Sequence, residues 1–549
     1  MSHLITSVVF DVSLFDENKV SQGASDVIEA IGGIGVEPSD TNVEVPTMSK
    51  DGGVSNHIST MQENNTTLQL SVTAATVSEE PVYDKLLQSC ARIKQASQVL
   101  TLNENDGGDL TVSEDLIITA TAATAAALDL NAATAVNDTS VDLDSDGAMT
   151  LNKGTTFTIA GDVNVYTVAA TVIFAGAETQ TVTVVTPILQ INSIDDIITL
   201  GSNLGTVGKV YSTVGLAKVD GTISLANALI SATEVVVTIT FNADWDHDTI
   251  ALIPAGTQIK IDANYVTVTA DAVWLNATDP VTVSVTALPA AIVGGEVFGL
   301  VESKLCFIFG LDVTPAVGDT VTGQTSSNTA KVYGLQVARL YYPSLQTQFS
   351  TTIGEYMDGL YIEAPYSRGT ATISYPSGAT PDINFTMNAK YKKSENQPML
   401  DYTKVCTTLH STNDSFLRYN GYDLRKHAND GVTMELGNEL SSKSSITTQT
   451  GLIEYKITDI KPNVKFKTTQ EALNLFNPTA DRVANNEGEI VYIHNFGGAA
   501  FGRVAHIYPR TQQASMPKKG DKDKLLAYDM DLGVLNSCST IPKEGMWVY

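Results

Sequence analysis

Asp142, Asp144 and Asp146, followed by Gly147, begin like the loop that wraps a calcium ion, where alternate carboxylates supply hard oxygen ligands. Asp244, Asp246 and Asp248 repeat the spacing at the same offset in a second segment. The twelfth position of such a loop calls for a bidentate Glu, and here it is Lys153; the second copy also lacks the glycine. These six aspartates are the calcium candidates of the chain. A strand explains them without metal: aspartates line one face, and Val141, Leu143 and Trp245 line the other. No metal and no cofactor is therefore expected.

Other chemistry is sparse. The seven histidines are scattered, and none forms His-x-x-x-His or His-Glu-x-x-His. His494 and His506 fall in predicted strands and read as packed residues. Gly294-Gly295 and Gly497-Gly498 follow strands but form neither a dinucleotide fingerprint nor a phosphate loop, and no Gly-x-Ser-x-Gly occurs. An enzyme is not expected. Cys90, Cys306, Cys406 and Cys538 are far apart, which suits reduced, packed thiols better than zinc or redox sites. The first residues, MSHLITSVVFDVSLFDENK, lack the basic start and cleavage site of a secretory signal. No apolar run is long enough for a membrane span. The formal charge of −28 argues against partners rich in phosphate.

The elements that must carry these residues are mostly strands. Thr, Val, Ala and Gly abound, and only 17% of residues are charged. Residues 98–344 hold 26 acidic against 7 basic side chains, a net of −19, and this shift marks a domain boundary. Inside it, Asp142–Val168 matches Asp244–Val268, with Gly154-Thr155 and Gly256-Thr257 at one offset. Short strands in repeats of about 100 residues predict two immunoglobulin-like sandwiches. Before this segment, Leu4–Phe15 could make a strand, and the residues to about Asn65 read as an extended arm. Thr66–Ala74 alternates as a strand, and Val82, Leu86, Leu87, Cys90 and Ile93 recur at helical spacing.

After the acidic segment, Phe349–Ile353, Leu360–Ala364, Thr370–Tyr375 and Ile383–Tyr391 alternate with period two. Met357-Asp358-Gly359, Ser367-Arg368-Gly369 and Pro376-Ser377-Gly378 punctuate them, which predicts an antiparallel meander of four strands. Val432–Gly437, Leu452–Ile457, Glu489–His494, Gly502–Ile507 and Leu525–Leu532 read as later strands. Thr468–Phe476 reads as a short helix capped by Thr468 or Thr469 and stopped at Asn477-Pro478.

In three pieces this chain resembles the major tail tube protein of long-tailed bacteriophages. The first is the meander, with Asp358-Gly359, Arg368-Gly369-Thr370, Gly378 and Asn384-Phe385-Thr386-Met387. The second is the strand followed by Pro81-x-x-Asp84-x-Leu86-Leu87-x-x-Cys90, where the family often has Gly after the Cys and this chain has Ala91. The third is Gly451–Pro462, with Lys461 before Pro462. The pieces stand in family order over residues 60–97 and 341–549.

The resemblance implies an all-β chain with a few short helices. It implies a tail-tube sandwich or barrel, with the helix packed on it, interrupted by inserted modules. The expected domains are 1–97 (tube, first part), 98–205 (module 1), 206–344 (module 2 and return segment) and 345–549 (tube, second part). It implies a structural virion protein of the phage tail, assembled in the host cytoplasm. Six copies would close a ring, and rings would stack into the conduit for DNA ejection. The partners implied are further copies of the chain and the tape measure, tail terminator and tail-tip proteins. Double-stranded DNA would pass through without specific binding. A carbohydrate-binding or adhesion protein built from sandwich repeats is the alternative.

Overall fold

A computed structural model gives the fold. It describes the chain from Val9 to Tyr549 apart from short stretches, the longer ones being 47–54, 73–79, 105–109, 120–127, 216–220, 226–232, 242–250, 275–280, 289–296, 399–411, 470–476 and 495–502. The described residues are mostly strand, with two short helices among them. The chain divides into two compact units, residues 1–97 with 337–549, and residues 98–336.

In the first unit the chain runs through β1 (Val9–Phe15), β2 (Gly32–Pro46), β3 (Ser55–Ser71) and helix α1 (Asp84–Ser89). After the second unit come β4 (Ser350–Met357), β5 (Leu360–Tyr375), β6 (Asp382–Lys390), β7 (Ala428–Glu435), β8 (Asn438–Ser444), β9 (Leu452–Ile460) and β10 (Asn463–Thr469). Helix α2 (Pro478–Ala484), β11 (Glu487–His494), β12 (Val504–Gln513), β13 (Lys518–Lys522), β14 (Leu525–Val534) and β15 (Gly545–Val548) complete it. The central sheet is antiparallel, in the order β2-β3-β6-β5-β7-β10-β14-β12. Each strand buries alternate residues, as period two requires: Leu68 and Leu70, Phe385 and Met387, Ala371 and Ile373, Met434, Val464 and Phe466, Met530 and Leu532 share one core.

Helix α1 lies against that core, with all six residues buried and contacts to β1, β4 and β5. The spacing predicted a helix running on to Ile93, but it stops at Ser89. The Cys90 N–H bonds back to the carbonyls of Leu86 and Leu87, Ala91 takes φ +55°, and Arg92 is already in a strand. A left-handed residue just past a helix is the position that glycine fills most easily.

Several other expectations are corrected. The arm before Asn65 is a long hairpin, with β2 and β3 paired from Gly32↔Gln69 to Pro46↔Ser55. Its polar sequence hid this because a two-stranded projection has little to bury. The meander has three strands rather than four, since Leu360–Tyr375 is continuous. Its first half pairs with β4 and its second half with β6, and Tyr366 at φ +52° bends it between them. Gly369 is not a turn glycine. A Cβ there would lie 2.1 Å from the Thr386 carbonyl oxygen of the neighbouring strand. Thr468 and Thr469 end β10 instead of capping a helix, and 470–476 lie outside the described residues. Asn477 starts α2, its side chain accepting the Ala480 N–H, with Pro478 in the first turn.

In the second unit, strands Asp115–Thr119, Asn203–Gly215, Ser303–Phe309 and Thr320–Gly323 join the inner ends of Arg92–Glu104 and Thr329–Pro343. Each pairs with two neighbours, so the six close into a barrel. Leu100, Leu116, Val210, Cys306, Ile308 and Val332 fill it. Glu114 pins one end: its buried carboxylate accepts the N–H groups of Thr325 and Ser326 and the Ser326 hydroxyl, at 3.0, 2.9 and 2.9 Å.

Two modules of eight strands emerge from this barrel, one spanning Leu128–Leu200 and one Gly221–Leu300. Their topologies are identical. Six strands form one sheet in the order fifth, fourth, eighth, first, second, seventh, and the third pairs with the sixth. Bridges Val168↔Val184 and Val268↔Val285 draw the two edge strands of each sheet together. Each module is thus a six-stranded antiparallel sheet accompanied by a two-stranded one. Period-two alternation reports which face is buried, not which strand lies alongside, so this strand order could not be read from the sequence.

Candidate functional site

Asp142 and Asp144 project from the outer face of Ser140–Ser145, between the inward Val141 and Leu143. Each accepts a hydroxyl of the adjacent strand, Thr181 at 2.6 Å and Thr179 at 3.3 Å. Asp129 stands opposite Asp144, and partial burial, then the charges of Asp144, Asp195 and Asp146, push its carboxyl up. Asp146 sits beyond the strand end. Among the described residues, no group of three or more His, Cys, Asp or Glu side chains is placed to hold a metal ion. Asp244, Asp246 and Asp248 lie outside the described residues. Titrating the full chain with calcium in a calorimeter is expected to give no binding heat, and a saturable heat would return these aspartates to the list of ligands.

The buried polar groups of the first unit hold elements together. Tyr375 Oη and His506 Nε2 share a hydrogen bond of 2.7 Å, Tyr492 packs on Tyr375, and the Tyr492 hydroxyl donates to Ser415 at 3.0 Å. His494 stacks on the same Tyr375. Burial, then the neighbouring His494, pulls His506 down to about 3. Asp84, at the start of α1, accepts the Tyr341 hydroxyl at 2.5 Å, Gln88 at 2.8 Å and the Lys94 ammonium at 3.1 Å; burial pushes its carboxyl up. Arg92 pairs with buried Glu544 beside a cavity lined by Leu87, Tyr341 and His506. Cys90 and Cys306 are buried thiols, and burial raises Cys90 to about 12.

The surface best formed for a function is the polar outer face of the central sheet, where Asn384 and Thr386 are exposed and the β8–β9 hairpin reaches Thr370 through the Asn438 N–H at 3.3 Å. Its cross-strand register builds three rows. Thr67, Thr386 and Thr370 make the first. Gln69, Asn384, Thr372, Glu435 and Asn463 make the second. Ser71, Asp382, Ser374, Thr433, Lys465 and Asp531 make the third. Hydroxyls and amides dominate from β3 to β5. Where charges enter, the cation is paired and the carboxylates accept hydrogen bonds: Lys465 Nζ lies 2.6 Å from Glu435, Asn463 donates to Asp531 at 2.7 Å and Gln69 to Asp382 at 2.9 Å, while at the edge Lys467 lies 3.7 Å from Asp430. The hydrogen bond to Glu435 raises Lys465, so it stays charged and paired. Such rows offer water a dense set of partners, and the cations in them are already paired rather than free to grip a polyanion.

Sequence reasoning did not single out this face. The alternation of Asn384, Thr386 and Asn388 against Ile383, Phe385 and Met387 was its only linear trace. No family model matches this chain, and no curated protein matches it in sequence.

Proposed function

We propose that this chain is a structural subunit of a phage tail, the major tail tube protein, and that the polar outer face of the central sheet lines the conduit. The observation that carries this reading is the hydroxyl- and amide-rich face, acidic on balance and with its cation paired, over which DNA can slide without salt-dependent binding. Its support from the chain order is that α1 packs on β1, β4 and β5 between the arm hairpin and the meander. On this reading, the first unit is the tube's β-sandwich or barrel, six copies close a ring, and rings stack. The tape measure, terminator and tail-tip proteins are its partners, in a virion tail assembled in the host cytoplasm.

Electron microscopy of concentrated protein tests the assembly: rings or tubes are expected, and protein that makes neither overturns it. The lumen is tested separately. Tubes of the triple variant Thr372→Lys, Asn384→Lys, Thr386→Lys should retain DNA at low salt and release it at high salt. An unchanged salt dependence would take this face out of the lumen.

The second unit, on the same reading, is an outward, removable excursion. Within the first unit, Trp547 donates its indole N–H to Ser97 Oγ at 3.0 Å and pairs with Leu340, so the chain leaves and returns beside one residue. Replacing 98–336 by a short Gly-Ser linker is expected to leave soluble subunits that form tubes of normal bore and smaller outer diameter. Insoluble protein, or tubes of unchanged outer diameter, would count against the excursion.

A further inference from the structure

Half of the exposed large hydrophobic side chains lie in one module. Of the 18 exposed large hydrophobic side chains among the described residues, nine fall between Val136 and Ile197, in the first eight-strand module. Val163 is 90% exposed, Ile191 70%, Ile197 65% and Val165 61%. They adjoin one another. Gln190 Nε2 donates to the Gly161 carbonyl at 3.2 Å, Leu189 N–H to the Tyr166 hydroxyl at 3.2 Å, and Ala160 N–H to the Ile197 carbonyl at 2.9 Å. These bonds gather the 160–165 loop, the 186–196 segment and the strand at Ile197 into one patch. A contiguous apolar patch of this kind marks a contact surface.

Its border is acidic. Asp129 stands opposite Ile197 in the register, Asp144 stands opposite Asp129, and Asp195 and Asp196 precede Ile197. The module from 128 to 200 carries nine carboxylates and one cation, Lys153, which is paired with Asp312 at 2.8 Å. Like charge disfavours the same patch on another copy, and a polyanion is disfavoured for the same reason. The complementary surface is apolar and basic. The chain itself carries one. Met516, 54% exposed, precedes β13 and the sequence Lys518-Lys519-Gly520-Asp521-Lys522-Asp523-Lys524, a basic run in a chain of charge −28. Lys518 and Lys519 are exposed and form no ion pair among the described residues.

We propose that the aliphatic patch of the 128–200 module docks residues 516–519, the start of β13 and the two residues before it, of a second copy of this chain. The contact is heterologous: each copy offers both halves, so copies join head to tail. A patch this small holds weakly alone and gains strength where many copies are arrayed. The inference does not depend on the tail-tube reading.

Zero-length carbodiimide coupling of a mixture of isotopically light and heavy full-length protein tests it, followed by peptide mapping. Light–heavy links from Lys518 or Lys519 to Asp129, Asp195 or Asp196 are expected, declining as salt rises. Ile191→Glu with Ile197→Glu should cut their yield by about tenfold, the loss typical of removing an anchor. Both positions are exposed, so the fold should stand, which thermal unfolding checks. Lys518→Glu with Lys519→Glu should have the same effect through the other half. Adding Asp129→Lys and Asp195→Lys to that lysine variant should restore association. Links confined to single copies, a yield unchanged by the isoleucine variants, or no restoration by the charge swap would each overturn the proposal.

Discussion

Leu87→Asp is expected to leave no soluble protein. Leu87 is 1% exposed, on a six-residue helix buried on every side against β1, β4 and β5. Removing a buried leucine costs about 2–5 kcal/mol through lost transfer and cavity terms. A carboxylate in its place adds an unpaired buried charge, worth several kcal/mol more. Together these reach the total stability of an ordinary domain, about 5–15 kcal/mol. The near cation Arg92 is already committed to Glu544, and Lys94 to Glu80 and Asp84. Leu87→Met, which keeps volume and polarity, should cost less than about 1.5 kcal/mol and remain soluble. Soluble yield and thermal unfolding of the two variants decide the matter. An aspartate variant that unfolds at the wild-type temperature would mean that α1 is not part of the core.

The second large effect is acid instability centred on His506. Its imidazole is buried, bonded to Tyr375, and neutral until about pH 3, while an exposed histidine takes its proton near 6.5. Between those values the unfolded chain binds a proton that the folded chain does not. Stability from this group is therefore complete above pH 6.5, falls as pH drops toward 3, and is flat below. The full loss is on the order of 5 kcal/mol, because each tenfold difference in proton affinity between the folded and unfolded chain is worth about 1.36 kcal/mol. His506→Gln keeps a hydrogen-bonding group for Tyr375 and removes the titration. Its urea midpoint should fall less steeply than that of the wild type between pH 7 and pH 4, while the carboxylates common to both contribute equally. Parallel slopes for the two proteins would show that His506 is not the acid-sensitive group.

Local pattern carried much of this protein. Period-two alternation located β6 almost to the residue and placed Ile383, Phe385 and Met387 inward, because a strand's side chains must alternate whatever lies beside it. The Leu86, Leu87 and Cys90 spacing found α1 and its buried face, and the alternation at Val141 to Asp144 set the aspartates outward. Ala91, noticed as a departure from glycine, proved to be the left-handed residue at the helix end. What depends on distant neighbours was not legible. Gly369 looked like a turn glycine, and only the Thr386 carbonyl across the sheet explains it. The inserted barrel is built from strands that lie as far as 200 residues apart, such as Thr119 and Thr320, so no local window contains it. The two modules repeat in sequence, but their strand order is a fact of pairing, and alternation is silent about partners. The polar outer face is the clearest case. Thr67, Thr370 and Thr386 are ordinary strand residues where they stand in the chain. They become a surface only when hydrogen bonds between β3, β6 and β5 set them side by side.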